Sequence, residues 1–171
     1  MHLAARILPA LSVLLLAVAG VLPWGQDHDL RFCLPALAFM GIHFWQHDHP
    51  KLVPPAFVAV VGLGIDVLTF GPLGFWPLVF LAGLALTWTV DWATGGGDGV
   101  MRWAGFVAAT MGLSTVAWLV ASAYVVKAVD WRPMVVSVLI QSALYPLAAV
   151  LLRPIERTVA GPRVLVLERQ R

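Results

Sequence analysis

Charged side chains are scarce in this chain. They make up 12% of its 171 residues, about half of the roughly 25% usual in soluble domains. Hydrophobic residues make up 60% and the mean hydropathy is +0.87. So few charges cannot cover the exterior of a water-soluble domain, so the composition excludes that class and indicates a polytopic membrane protein. Cysteine is nearly absent as well. Cys33 stands alone, which excludes an intrachain disulfide and leaves a small buried or lipid-facing residue in an apolar run.

Catalytic sets are missing in the same way. Ser12, Ser114, Ser122, Ser137 and Ser142 lie in apolar runs, where a hydroxyl bonds the preceding turn or a neighbouring helix. The carboxylates are scattered, with no pair suited to acid–base work. The loop TGGGDG, residues 94–99, has the glycines of a phosphate cradle but neither the lysine nor the hydroxyl that follow them; it reads as a flexible turn. No extramembrane stretch is long enough for a soluble catalytic domain. The expectation is a non-enzymatic protein that uses no cofactor, holds no metal and binds no nucleic acid.

Long apolar runs are what remain. A spanning helix needs about 20 mostly apolar residues. Residues 3–23, 104–126 and 134–152 meet that length with no charge at their centres, and 75–90 is slightly short, ending at Asp91. The first run follows Arg6 and ends in small residues like a secretory signal peptide; with further apolar runs behind it, it reads as the first membrane helix. Residues 32–45 and 53–70 are separated only by QHDHPK, and the first of them is short enough for a tilted, partial or re-entrant span. The predicted fold is all-α: a six-helix membrane bundle over residues 1–152 with a short or broken helix pair around 32–74, followed by a basic tail, 153–171.

Orientation follows from the placement of Lys and Arg. With a cytoplasmic N-terminus, eight fall inside (Arg6, Lys51, Arg102, Arg153, Arg157, Arg163, Arg169, Arg171) and three outside (Arg31, Lys127, Arg132). Both termini are then cytoplasmic. Arg153 and Arg157 are candidates for contact with lipid headgroups or a partner, and RVLVL in the tail has strand-like content that suits pairing with one. Phe44, Trp45, Trp24, Trp88, Trp92, Trp103 and Trp131 fit interfacial aromatic belts.

Two polar features interrupt the apolar pattern. HFWQHDH sets His43 and His47 four residues apart, on one helix face, with Asp48 and His49 beside them; the spacing suits a shared metal, but a segment leaving lipid is polar in any case. GLGIDVLTFGPLG, residues 62–74, places Asp66 and four glycines within apolar surroundings. An ionisable group there faces the bundle interior and marks function or a specific partner. Gly62 and Gly64 permit close helix approach. Gly71, Pro72 and Gly74 break the helix and free backbone N–H groups that must be satisfied. Asp66 is therefore either an architectural clamp that accepts those bonds or a proton or cation site.

The succession HFWQHDHP, GLGID and GPLGFWP resembles the rod shape-determining protein MreD family. The matching positions are Trp45 and Pro50, then Gly62, Leu63 and Asp66, then Gly71, Pro72, Leu73 and Gly74. Gly64 departs from it, standing where that family more often has a bulky apolar residue, and so does the histidine-rich segment. The resemblance implies a scaffold in the bacterial inner membrane that serves the cell-elongation machinery. It would bind a single-pass, MreC-like partner and help couple the MreB cytoskeleton to lateral peptidoglycan synthesis by a SEDS-type glycosyltransferase and a penicillin-binding transpeptidase. That family is similar in architecture to the six-helix substrate-binding subunits of energy-coupling-factor vitamin transporters, which supply the alternative reading.

Overall fold

The computed structural model describes residues 2–22, 36–97 and 99–160. Cys33, Trp24, Arg31 and the segment RVLVL lie outside these residues. Among the described residues six helices follow one another: α1 (His2–Val21), α2 (Leu37–Asp48), α3 (Pro55–Thr69), α4 (Phe75–Thr94), α5 (Val100–Val125) and α6 (Arg132–Ala160). The chain is a helical membrane bundle, as its composition predicts. Three helices, α4, α5 and α6, are long and apolar enough to cross a membrane, and α3 and residues 7–21 of α1 are shorter apolar helices.

The layout is a ring around a centre. Helices α3, α4, α5 and α6 pack each against the next, and α1 closes the ring by touching both α6 and α3. Helix α2 fills the middle, against α1, α4 and α6. Every residue from Ala38 to Trp45 is buried, with Phe39, Ile42, Phe44 and Trp45 wholly enclosed. Its sequence, LAFMGIHFWQHD, is apolar on all sides over its first turns, the pattern of a helix surrounded by protein rather than one with a solvent face. Gly41 lets α1 close in, since a Cβ there would lie 2.9 Å from the Leu16 side chain. The outer surface of the ring is aliphatic, with Leu15, Val60, Leu119, Leu139 and Leu151 more than half exposed.

Helix ends differ from the expected boundaries where a polar residue finds a partner. Helix α2 continues past Trp45 to Asp48 and α4 continues past Val90 to Thr94, because His47 bonds Asp91 across the two. Helix α6 runs on past Leu152 and through Pro154 to Ala160, taking eight residues of the basic tail into the bundle's last helix. Phe44 and Trp45 are fully buried, so they are core residues and not members of an interfacial belt. Trp92 and Trp131 are exposed, in keeping with one.

Two helices end on non-glycine residues in left-handed backbone: Phe70 (φ 53°) after α3 and Val126 (φ 55°) after α5. This region costs an L-residue roughly 1–2 kcal/mol, and a β-branched side chain is an outlier there. Val126 is 91% exposed and its side chain therefore offers little packing in return. Val126→Gly is expected to raise the melting temperature in detergent by about 2–4 °C, the shift for roughly 1 kcal/mol in a chain of this size; an unchanged or lower value would show that the valine side chain is held by a contact.

Candidate functional site: an interhelix cap and a polar end

Gly74 is the N-cap position of α4, in left-handed backbone at φ 95°. It has no side chain with which to cap its own helix, and the first-turn N–H groups of a helix have no intrahelical partner. Asp66, on α3, supplies both acceptors. Its Oδ2 accepts from Gly74 N at 2.7 Å and its Oδ1 from Trp76 N at 3.1 Å. The carboxyl is wholly buried and lies at the positive end of the α4 dipole, where negative charge is favoured. One helix thus caps the next, and the two oxygens serve architecture.

The surrounding residues explain how the carboxyl reaches. Gly62 is one turn before Asp66 on the same face, and a Cβ there would fall 2.5 Å from Pro77 N and 2.8 Å from the Trp76 carbonyl carbon. Only glycine permits that backbone-to-backbone approach. Pro77 sits in the first turn of α4, where its missing N–H would have no intrahelical partner anyway. Helix α3 ends with Gly71 N donating to the Asp66 carbonyl at 3.0 Å, a Schellman-type bond that turns the chain back toward α4. Pro72 continues the turn, its carbonyl accepting from Phe75 N at 3.1 Å.

The structure divides the other predicted motif residues. Leu63 and Leu73 are exposed, Leu73 at 76%, and they form the outward side of the hairpin. Gly64 meets nothing within 4 Å of a Cβ position, so the close approach expected of it belongs to Gly62 alone. Trp45 and Pro50 lie toward the opposite end of α3. Trp45 Nε1 donates to Ser12 Oγ at 2.8 Å, and that hydroxyl donates to the Pro9 carbonyl at 2.7 Å, pinning α2 to α1. Pro50 is in the exposed turn after α2, and Arg153 and Arg157 are exposed on α6.

The end of α2 carries a second constellation, absent from the sequence reading except for its own histidines and Asp48. His47 Nδ1 lies 3.2 Å from Asp91 Oδ1 of α4, Arg102 of α5 donates to Asp48 Oδ1 at 2.7 Å, and His49 Nε2 lies 3.9 Å from Glu156 Oε1 of α6. Arg102 also covers the Phe44 ring, 5.9 Å from its centroid. Three outer helices thus each send one charged group to the central one. His43 and His47 do not share a site. His43 Nδ1 is 3.2 Å from Thr87 Oγ1, and because that hydroxyl donates to the Gly83 carbonyl at 3.0 Å, the imidazole nitrogen is the donor. Gln46 donates to the Val53 carbonyl and accepts from Trp88 Nε1 at 3.4 Å. Among the described residues, no group of three His, Cys, Asp or Glu is placed to hold a metal ion.

A third feature is a groove of about 660 Å³ between α5 and α6. Val107, Met111, Val138 and Leu139 line its length, with Trp103 toward one end and Trp118 and Trp131 toward the other. Trp103 Nε1 donates to the Ser142 carbonyl and Trp118 Nε1 to the Val129 carbonyl, both at 2.8 Å. Comparison with known protein families, curated proteins and solved structures returns no match to this chain.

Removing the Asp66 carboxyl leaves the Gly74 N–H, in an exposed turn, and the Trp76 N–H, which is buried, without their acceptor, and a buried unsatisfied donor costs about 1–3 kcal/mol. Asp66→Ala is expected to lower the melting temperature in detergent by roughly 5–10 °C at 2–4 °C per kcal/mol. Asp66→Asn keeps one acceptor oxygen and should lose about half as much. Gly62→Ala, which leaves the carboxyl intact but forces the helices apart, should approach the Ala variant. Equal losses for Asn and Ala, with Gly62→Ala silent, would contradict the cap.

Proposed function

We propose that this chain is an MreD-like, non-enzymatic scaffold of the bacterial inner membrane, with both termini cytoplasmic. It joins a single-pass MreC-like partner to the cell-elongation complex that couples the MreB cytoskeleton to lateral peptidoglycan synthesis. The observation that carries this reading is the use made of the motif residues. Gly62, Asp66 and Gly74 form an interhelix cap built on a buried carboxyl, so the sequence pattern that resembles the family has a structural purpose, and the carboxyl that would otherwise suggest transport is committed to backbone donors.

The α5–α6 groove is the candidate berth for the partner. It follows α5 from Trp103 to Trp118, about 22 Å at 1.5 Å per residue, which suits a helix lying alongside better than a compact solute. Its walls are almost entirely aliphatic and aromatic, and Ser114, Thr115 and Ser142 add small hydroxyl residues of the kind that let membrane helices approach closely. The SEDS-type glycosyltransferase and the penicillin-binding transpeptidase would join through that partner or through the aliphatic outer ring. The basic residues Arg153 and Arg157 would meet anionic headgroups, at about 1 kcal/mol each near the surface.

The test is photo-crosslinking in the native membrane from a benzophenone side chain placed at Met111 or Leu139 in the groove and, as a control, at Val60 on α3. Crosslinks from the groove positions alone to a single-pass protein with a periplasmic coiled coil are expected. Crosslinks to a membrane-embedded coupling subunit that co-purifies with paired ATPases would overturn the scaffold in favour of solute uptake.

A further inference from the structure

Helix α6 is 29 residues long, about 43 Å at 1.5 Å per residue, against a hydrocarbon thickness of about 30 Å. The surplus falls at its C-terminal end, where Arg153, Glu156 and Arg157 follow the apolar run that closes at Leu152. A helix end leaving lipid ordinarily turns its charges outward, to water and headgroups. Arg153 and Arg157 do so, while Leu152 is buried and Ile155 and Val159 pack on the core. Glu156 turns inward instead. Its side chain is 24% exposed, and its carboxyl is within hydrogen-bonding reach of the Asp48 carboxyl at the end of α2.

Ionised carboxylates only accept hydrogen bonds, so two of them bond each other only with a proton between them. The neighbours decide where that proton sits. Asp48 Oδ1 accepts from Arg102 of α5 at 2.7 Å, a charge-assisted bond that holds Asp48 as the carboxylate. Its Oδ2 is buried and accepts from no described N–H group. Among the described residues, Glu156 has no cation so close. His49 Nε2 is 3.9 Å away, beyond hydrogen-bond length, and Arg102 and Arg153 act on it only as nearby charges. Glu156 is therefore the acid of the pair, and Asp48 Oδ2 is the acceptor left for it. His47 of α2 and Asp91 of α4, 3.2 Å apart, complete the set of ionisable groups at this end. The described side chains of α1 add none.

We propose that Asp48 and Glu156 share one proton and so form a pH-sensitive latch that holds the last two turns of α6 on the polar end of α2. The effect has a definite sign. At pH 6 the folded chain binds this proton, whereas in the unfolded chain a glutamate titrates at about 4.3 and has lost it. The latch therefore stabilises the fold at pH 6, and that contribution disappears as the pH rises. Loss of the proton leaves two carboxylates facing each other and frees the end of α6, which carries Arg153 and Arg157 into the basic tail. The latch stands whether or not the scaffold reading holds.

Infrared spectroscopy of the full chain in detergent tests the proton, because a protonated carboxyl has a carbonyl band that carboxylates lack. At pH 6 the wild-type spectrum minus that of Glu156→Gln is expected to show one such band, and at pH 9 none. Asp48→Asn should lower the pH at which the band is lost by about one unit or more, since it removes the charge that opposes ionisation. No band at pH 6, or a band whose loss Asp48→Asn does not move, would overturn the shared proton. Hydrogen exchange tests the latch. Protection of the amides between Arg153 and Ala160, corrected for the intrinsic effect of pH, is expected to fall at least about fivefold from pH 6 to pH 9 in the wild type and to change less than about twofold in Glu156→Gln. Equal wild-type protection at both pH values would show a proton that holds nothing, and an equal fall in both proteins would assign the switch to another group. Either result would overturn the latch.

Discussion

A twelve-residue helix cannot cross a bilayer. At 1.5 Å per residue, α2 is about 18 Å long, against a hydrocarbon thickness of about 30 Å, and its last residues are Gln46, His47 and Asp48. Such a segment is stable at membrane depth only if protein surrounds it and answers its polar end. The ring formed by α1, α3, α4, α5 and α6 meets the first need, and Asp91, Arg102 and Glu156 meet the second. The aliphatic outer face of the ring follows from the same constraint, since the helices that shield α2 must themselves face lipid.

The opposite end of the hairpin obeys the same rule with different groups. The chain reverses between α3 and α4 in a few residues, and the first N–H groups of α4 have no partner within their own helix. The Asp66 carboxyl satisfies two of them from the neighbouring helix, and Gly62 allows the approach that makes this possible. A carboxylate is costly at such a position when isolated and far less so when its oxygens are occupied. Charge and glycine therefore occur together in this run for one reason: the glycine brings the donors within reach of the acid.

What the sequence disclosed depended on the range of each interaction. Asp66 and its donors are eight and ten residues apart, so helix break, free N–H groups and acceptor were visible in one short stretch. The polar end of α2 joins residues 44 and 54 positions apart. Nothing local links His47 to Asp91 or Asp48 to Arg102, and without those partners α2 and α4 were expected to stop short of their observed ends. Trp45 and Phe44 were expected at an interface because they adjoin polar residues, but those polar residues point to other helices and not to water. Gly62 and Gly64 were indistinguishable by type; only the packing of Pro77 tells them apart. The burial of α2 on every side was beyond reach too, because a short apolar run has the same composition whether lipid or protein encloses it.

The enclosure of α2 is the claim from which the rest follows, and it is open to direct measurement in the native membrane. A lipid carrying a photoactivated carbene precursor in its acyl chain labels side chains that touch hydrocarbon, and peptide mapping locates the marks. The account predicts labelling on the outer faces of α5 and α6, at residues such as Leu119, Leu139 and Leu151, and none between Ala38 and Gln46. Labelling within α2 at a level comparable to α5, and above all at positions three and four residues apart, would contradict it.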